Sequence, residues 1–202
     1  METKKTSRRP GRPRTFDPDQ AVAVAQRLFH AQGYDAVSVA NVTEALGINP
    51  PSFYAAFDSK AGLYARVLEH YAGTGAIPMR ELLRPDRPVA ECLAAVLEDA
   101  ARRYAADPKA AGCLVLEGIH ADDPQARQAA CRYHAAAEGV IRAYIAERHP
   151  DKAARLADFV SLVMVGLSAK ARQGHTEGRL LDTARIASRA LADELGPGSA
   201  GC

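Results

Sequence analysis

The sequence predicts an all-α protein of about nine helices, with a small N-terminal unit followed by a larger helical bundle. From residue 16 onward, apolar side chains recur at the spacing of amphipathic helices. Strand signals are nearly absent, because the chain lacks alternating Val, Ile or Thr runs and Asn-Gly or Asp-Gly hairpin turns. The 202 residues, of which 48% are hydrophobic, suffice for a small core beside a larger one.

Polar capping residues define the first four helices. A Ser, Asp or Asn before an apolar periodic segment accepts hydrogen bonds from the first free N–H groups, and a following Gly lets the chain turn. Pro18 suits the first position of the first helix. The four predicted helices begin after Asp17, Ser38, Asn49 and Ser59 and end near Gly33, Leu46, Phe57 and Tyr71.

Glycine and proline residues between positions 73 and 88 predict the boundary between the two units. Beyond this boundary, turn residues and prolines separate five longer helices. These helices are predicted over 88–106, 109–120, 124–148, 152–173 and 177–195. The predicted organisation is therefore a disordered basic arm over 1–15, a first unit over 16–72, a second over 73–195 and a flexible tail over 196–202.

Positive charge is concentrated at the N-terminus. The whole chain has a net charge of +2, yet residues 1–14 carry six basic side chains against one acidic side chain. Residues 15–70 carry three basic and six acidic side chains. A basic arm ahead of a near-neutral body indicates an anionic polymer as partner.

The second and third predicted helices form a helix-turn-helix. Gly47 permits the tight turn between them, and Ile48 fills the small core beneath the turn. The third helix is short and capped by Asn49, so its first residues can be presented to the major groove of DNA. This arrangement predicts a DNA-binding unit over residues 16–72.

The same region resembles a known family in more detail. The segments 33–42, 45–48 and 52–63, read with the basic arm and the length of the chain, resemble the DNA-binding domain of the tetracycline-repressor (TetR/AcrR) family over residues 15–70. The resemblance implies a homodimeric repressor that binds a pseudo-palindromic operator in double-stranded DNA. It also implies that the C-terminal unit is a ligand-binding and dimerisation domain that releases the DNA when it binds an inducer.

The resemblance implies a set of DNA contacts. Tyr54 and Lys60 match the tyrosine and the lysine with which the family contacts phosphates, although packing at the surface is an alternative for Tyr54. Where many relatives carry Lys, Arg or His, this recognition helix has Pro50, Pro51 and Ala55, so few long donors reach base edges. The predicted DNA-contacting residues are Arg12, Arg14, Ser38, Thr43, Asn49, Pro51, Ser52, Tyr54 and Lys60.

The residues of the two helix caps and of the arm also permit other interpretations. Ser38 and Asn49 can act as helix caps, a role that is compatible with contact to DNA. The Gly-Arg-Pro sequence around Arg12 fits insertion into a narrow minor groove, and the alternative is a solvated basic tail without defined contacts.

The eighth predicted helix is apolar around much of its circumference, which favours a dimer interface. The candidate residues are Phe159, Val163, Gly166 and Leu167. The alternative is a helix that is buried entirely within its own subunit.

The sensor is the least defined part of the sequence. The segments 111–114 and 166–174 resemble a subgroup that contains a copper-responsive repressor of an outer-membrane protein gene. The Gly-Cys-Leu sequence at Cys113 is also similar to the setting of a redox-sensing cysteine in another branch of the family. Cys113 is therefore a candidate thiol or metal sensor, with a small buried core residue as the favoured alternative. Helical periodicity adds Tyr104, Leu116, Ile119 and His120 as candidates for a ligand pocket, with ordinary core as the alternative. No metal site or cofactor is predicted.

Other classes of protein are disfavoured. The sequence has no signal-peptide core and no apolar segment long enough to span a bilayer, which predicts a cytoplasmic protein without membrane contact and with reduced cysteines. The common catalytic motifs are absent, so the chain is not expected to be an enzyme. The alternatives are a helical interaction protein, or a small-molecule-binding enzyme, without specific DNA binding.

Overall fold

The computed structural model describes residues 17–196, and the regular structure of this stretch is entirely helical, which confirms the predicted fold class. The predicted arm, with Arg12 and Arg14, and the tail beyond Gly196 lie outside the described residues. The ten α-helices are α1 Pro18–Gln32, α2 Val39–Leu46, α3 Pro50–Phe57, α4 Lys60–Thr74, α5 Met79–Leu82, α6 Val89–Ala105, α7 Leu114–Gly118, α8 Pro124–Ala146, α9 Ala153–Arg172 and α10 Glu177–Leu195. A short 3-10 turn, Pro150–Lys152, precedes α9.

The first four helices begin at the predicted caps. The side chain of Asn49 accepts a hydrogen bond from the N–H of Ser52 at 2.9 Å, and the hydroxyl of Ser59 accepts one from Gly62 at 2.9 Å. Ser38 and Asn41 cap each other reciprocally at the start of α2. These local bonds fix the start of each helix without help from the rest of the chain.

The predicted helix over 109–120 is much shorter in the structure. Only Leu114–Gly118 is helical, because Gly112 adopts a φ of +83° and its N–H donates to the carbonyl of Tyr104 at 2.8 Å. A Cβ at Gly112 would lie 2.9 Å from the hydroxyl of Ser168, so only glycine fits this close approach to α9. The predicted linker also contains the short helix α5, which the sequence pattern did not indicate.

Two hydrophobic cores organise the described residues. The N-terminal core joins α1–α4 and is rich in aromatic rings, and it extends onto α7 and the first half of α8. The C-terminal core joins α6, α9, α10 and the end of α8, and it is built mostly from Leu, Val, Ile and Ala. Cys113 packs against both cores. No helix within residues 17–196 is both long and apolar enough to cross a membrane.

Candidate nucleic-acid interface and ligand cavity

The turn between α2 and α3 has the geometry of a helix-turn-helix. Gly47 is in the left-handed region at φ 65° and ψ 33°, and its N–H donates to Glu44 at 3.1 Å. The N–H of Ile48 donates to Thr43 at 3.0 Å and closes the end of α2. Because the left-handed conformation suits glycine, this residue allows α3 to start three residues later, at Pro50, in a new direction.

Helix α3 is divided into a buried face and an exposed face. Phe53 and Phe57 are buried in the N-terminal core, where their ring centroids lie 5.5 Å apart. On the other side, Pro51 is exposed and Tyr54 exposes 52% of its surface, while Ser52 is half-buried. The ring of Tyr54 packs edge-on against Phe53 at 5.3 Å, so the core holds an otherwise exposed aromatic side chain in place.

Of the two DNA contacts predicted at α2, Ser38 and Thr43, only Ser38 is exposed. Ser38 lies at the start of the helix, with its side chain engaged in the reciprocal cap. Thr43 exposes only 6% of its surface, and its hydroxyl donates to the carbonyl of Ala40 at 3.0 Å. Ser38 and the exposed Asn49 thus flank the surface formed by α3, and Thr43 lies beneath it.

Lys60 holds the start of α4 against the loop between α1 and α2. Its ammonium donates to the carbonyls of Tyr34 at 3.1 Å and Val37 at 3.0 Å, and it lies 4.0 Å from the centre of the Tyr34 ring. An ammonium group has three donors, so one N–H remains for an outside acceptor. In this conformation Lys60 stabilises the helix-turn-helix as well as facing its surface.

A cavity of about 170 Å³ lies behind the helix-turn-helix, where α4 meets the C-terminal bundle. Its wall combines side chains from α4, the α4–α5 segment, α6, α7, α8 and α9. The lining residues are Tyr71, Ala72, Ala76, Ile77, Met79, Tyr104, Cys113, Val115, Leu116, Tyr133, His134, Ala137 and Met164.

The polar groups of the cavity wall largely bond one another. The hydroxyl of Tyr71 donates to Sγ of Cys113 at 3.7 Å, and Nε2 of His134 lies 3.2 Å from the hydroxyl of Ser161. Burial raises the pKa values of Tyr71 and Tyr104 above their ordinary range, so both hydroxyls remain protonated and neutral. The cavity wall is thus mainly apolar.

A polar cluster next to the cavity joins the two cores. We call His30, Gly112, Glu117 and Arg172 the junction cluster. Nε2 of His30 donates to the carbonyl of Gly112 at 3.1 Å, and Arg172 on α9 donates to the carbonyl of His30 at 3.3 Å. Arg172 also forms an ion pair with Glu117 on α7 at 3.1 Å. Burial lowers the pKa of His30, and the nearby Arg172 lowers it further.

The exposed apolar surface of the C-terminal bundle lies on α9 and α10. Leu162 exposes 69% and Ile186 61% of their surfaces, although both are large apolar side chains. Phe159 and Val163 are half-buried in shallow grooves against α10, and Gly166 is exposed. Leu167 is buried in the C-terminal core of its own chain.

Comparisons with known proteins identify the family. The profile of bacterial regulatory proteins of the tetR family matches residues 21–67. The HTH-type transcriptional repressor BdcR of Escherichia coli is 60% identical over 191 residues, which cover 95% of this chain and 97% of BdcR. The chain belongs to the TetR family.

Two further relatives agree with this assignment. The HTH-type transcriptional repressor ComR of Escherichia coli is 30% identical over 186 residues, covering 86% of this chain and 88% of ComR. A cysteine mutant of the TetR family transcriptional regulator CifR, solved with a 26-bp double-strand operator DNA, superposes with a TM-score of 0.81. That structure is 32% identical and covers 90% of this chain and all of the CifR chain.

The structure brings together only some of the sensor residues suggested by the sequence. Cys113, Tyr104 and Leu116 line the same cavity. Ile119 packs against the N-terminal core, and His120 is exposed, because α7 ends at Gly118 and breaks the helical periodicity on which both predictions rested. No three His, Cys, Asp or Glu side chains within residues 17–196 are grouped closely enough to share a metal ion.

Several residues at these sites were not singled out from the sequence. Tyr71, Met79 and Met164 meet at the cavity from three distant elements, and nothing in their local sequence links them. Leu162 and Ile186 follow helical spacing, but on an apolar helix such as α9 periodicity does not show which face lies outward. The sequence indicates an exposed apolar surface only in that α9 carries more apolar residues than one buried face requires.

Proposed function

We propose that this TetR-family protein is a homodimeric transcriptional repressor that binds a pseudo-palindromic operator and is released from it by a small inducer. The observation that carries the proposal is the exposed face of α3, where the N-terminal core holds Tyr54 in the helix that follows the tight turn at Gly47. The proposal assigns DNA binding to residues 1–72, and ligand binding and dimerisation to residues 73–195.

The proposed DNA surface consists of the α3 face and the residues that flank it. Pro51 and Tyr54 are exposed on α3, and Ser38 and Asn49 offer helix starts whose N–H groups and dipoles favour phosphates. Thr43 enters the proposal only through a readjustment of α2, because its side chain is buried. Ser52 is proposed as a base contact, and Lys60 as a phosphate contact through its remaining N–H.

The arm is proposed to supply much of the electrostatic attraction. Residues 15–70 hold more acidic than basic side chains, so they do not attract the phosphate backbone by net charge. Arg12 and Arg14 belong to the six basic residues of the arm and are proposed to reach the minor groove. Support comes from CifR, a relative solved with operator DNA, and from the repressor BdcR.

The proposed switch connects the cavity to α4. Tyr71 and Ala72 belong both to α4 and to the cavity wall, and the first turn of α4 is bonded through Lys60 to the loop before α2. A ligand that displaces the Tyr71 ring would therefore shift α4 and change the separation of the two recognition helices in a dimer. Operator DNA then dissociates, because both half-sites no longer match the protein spacing.

The dimer is proposed to form through α9 and α10. Leu162 and Ile186 form an apolar surface that a second copy of the chain would bury, together with Phe159, Val163 and Gly166. Leu167 is not part of the proposed dimer surface, because it is buried in the C-terminal core of its own chain. We expect the dimer to act in the cytoplasm, where operator DNA is found.

Within residues 17–196, one group of side chains resembles a catalytic site, and it does not support an enzymatic alternative. His134 lies between Ser161 at 3.2 Å and Glu138 at 3.8 Å, yet both contacts involve the same ring nitrogen, Nε2. In a serine hydrolase the acid holds the other ring nitrogen so that Nε2 can act as the base. We therefore assign these residues to the packing of α8 on α9, and no catalytic role is proposed. Copper or thiol sensing through Cys113 stays a prediction.

Substitution of Tyr54 tests the proposal. Operator sites are selected from a random DNA library with the full chain, and affinities are measured by fluorescence anisotropy. Tyr54→Phe removes only the hydroxyl and is expected to weaken binding by roughly three- to tenfold, the value of one hydrogen bond. Tyr54→Ala is expected to lose more, since the ring also packs on Phe53.

The matched control is Ala135→Ser, which changes an exposed residue of α8 away from the helix-turn-helix. It is expected to bind DNA as the parent protein does. Parental affinity in Tyr54→Ala would remove α3 from the DNA interface and overturn the proposal.

A further inference from the structure

The cavity has a chemical character that restricts what it can bind. None of its thirteen lining residues is Asp, Glu, Lys or Arg. An ionised ligand would lose its hydration on entry and would find no Asp, Glu, Lys or Arg side chain in the wall to pair with. The wall therefore selects against carboxylates, phosphates and amines, whichever sign of charge they carry.

The hydrogen-bonding groups of the wall are few, and two of them are already engaged. Tyr71 donates to Cys113, and His134 faces Ser161 through Nε2. A ligand that needs several hydrogen bonds would have to break these contacts to obtain its own. One polar atom on the ligand can be accommodated near His134 or the tyrosine hydroxyls, but a sugar or a nucleotide cannot.

The size of the cavity sets a second limit. Its volume of about 170 Å³ is close to that of dry apolar cavities, on the order of 150 Å³, that hold a benzene molecule. Met79 and Met164 line the wall with flexible side chains, which adapt to rings of slightly different shape. Ala72 is exposed at the rim, so the cavity reaches the surface beside α4.

We propose that this cavity binds a small uncharged ring compound with at most one or two polar atoms, and that it binds ionised metabolites less well. The proposal rests on the proposed function, because the cavity is the ligand site of the switch described above. It deepens that function by naming the chemical class of the inducer.

The test is calorimetric titration of the full chain without DNA. Benzyl alcohol, benzoate and benzylammonium share one ring and differ in charge. Benzyl alcohol is expected to bind with one site per chain, and the two ions are expected to bind at least about tenfold more weakly. Equal binding of benzoate or benzylammonium would overturn the proposal, as would no binding of the neutral ring.

A matched pair of substitutions locates the binding. Ala137→Leu adds a side chain inside the cavity, and Ala135→Leu makes the same change on the exposed face of α8. The first is expected to lower the affinity for benzyl alcohol by about tenfold or more and the second to leave it unchanged. If Ala137→Leu does not fold, Ala72→Leu at the rim replaces it. Unchanged affinity in the folded cavity variant contradicts the proposed site.

A separate measurement distinguishes this proposal from the proposed function. The same ligands are added to the protein–operator complex in a mobility-shift assay. Binding of benzyl alcohol without release of DNA would support the ligand class and overturn the switch through α4. Failure of the protein to bind any DNA would overturn the proposed function and leave the calorimetric result intact.

Discussion

The two hydrophobic cores differ in the side chains that fill them. The N-terminal core stacks rings in a continuous series, with Phe29 contacting Tyr34 and Tyr64 at centroid distances of 5.7 and 5.2 Å. The C-terminal core is built mostly from aliphatic side chains and alanines on long helices, with two buried tyrosines, Tyr104 and Tyr144. Aromatic rings have few rotamers and directional contacts, whereas aliphatic and methionine side chains repack more easily. The contrast indicates a rigid reading unit joined to an adaptable sensing unit.

The cavity lies where these two cores meet. Tyr71 of the N-terminal core and Met164 beside the C-terminal core both line it, and Cys113 packs against both cores. Side chains beside the C-terminal core would repack around a ligand in this cavity, and the N-terminal core would move as a unit in response.

The largest effect is expected from removing a ring of the N-terminal core. Phe53→Ala should lower the free energy of unfolding by about 3–5 kcal/mol, since the side chain is fully buried and its neighbours cannot close the space. Urea titration followed by circular dichroism measures this change. Tyr54→Ala, an exposed neighbour, should cost about 1 kcal/mol or less. Equal losses in the two variants would mean that the ring series is not a rigid core.

A charge on the outer face of the C-terminal bundle should break the dimer. Leu162→Glu is expected to weaken dimerisation by about 2–4 kcal/mol, because the side chain would be buried at the interface centre. Sedimentation velocity measures the monomer fraction. Gln128→Glu, which adds the same charge to an exposed site on α8, is the control. A Leu162→Glu protein that remains dimeric would remove α9 from the interface.

Disrupting the junction cluster should lower the free energy of unfolding by less than the loss of Phe53. Arg172→Met breaks the ion pair with Glu117 and the bond to His30, and is expected to cost about 1–2 kcal/mol because these groups are partly exposed. A double-mutant cycle with Glu117→Gln, measured by thermal unfolding, should show a coupling energy of about 0.5–1 kcal/mol. Strict additivity would indicate that the pair does not join α7 to α9.

The smallest effect is a dependence of stability on pH through His30. Burial holds the pKa of His30 below its usual value of 6.5, so the unfolded chain binds its proton at a higher pH than the folded chain. The unfolded state then carries more protons between these two values, and stability falls as the pH drops from 6.5 through the lower folded pKa. Arg172, Asp107 and Glu117 are the charged groups that face this ring.

His30→Gln keeps a hydrogen-bond donor for Gly112 and should remove this contribution. Melting temperatures at about pH 7.5 and pH 5.5 should differ less in the variant than in the parent protein. His120, which is exposed after α7, provides the control substitution His120→Gln. An identical loss of stability in both variants and the parent would show that another group titrates.

The helix-turn-helix could be predicted from the sequence because its determinants are local. Ser38 and Asn49 cap their helices through residues three positions away, and Gly47 makes its own turn. The sequence did not predict features that depend on contacts between residues far apart in the chain. Gly112 is held against Ser168 on α9, so α7 starts only at Leu114. Because α7 also ends at Gly118, Ile119 and His120 do not continue its helical periodicity and do not line the cavity.

The dimer surface shows the same limit. Phe159, Val163 and Leu167 share one apolar helix, and only packing against α6 and α10 shows that Leu167 lies inside while Leu162 lies outside. The cavity likewise depends on side chains from several elements. Local sequence predicts each helix, but it does not predict the space left where the helices meet.

The most direct test of the central claim is a mobility-shift titration of the full chain against the DNA upstream of its own gene and against random DNA. The titration is run at roughly 50 mM and 200 mM salt. The account predicts a specific complex on the upstream DNA that weakens strongly at the higher salt, and more so with residues 1–14 present than deleted. Equal binding to upstream, random and library-selected DNA, or a salt dependence unchanged by the deletion, would contradict it.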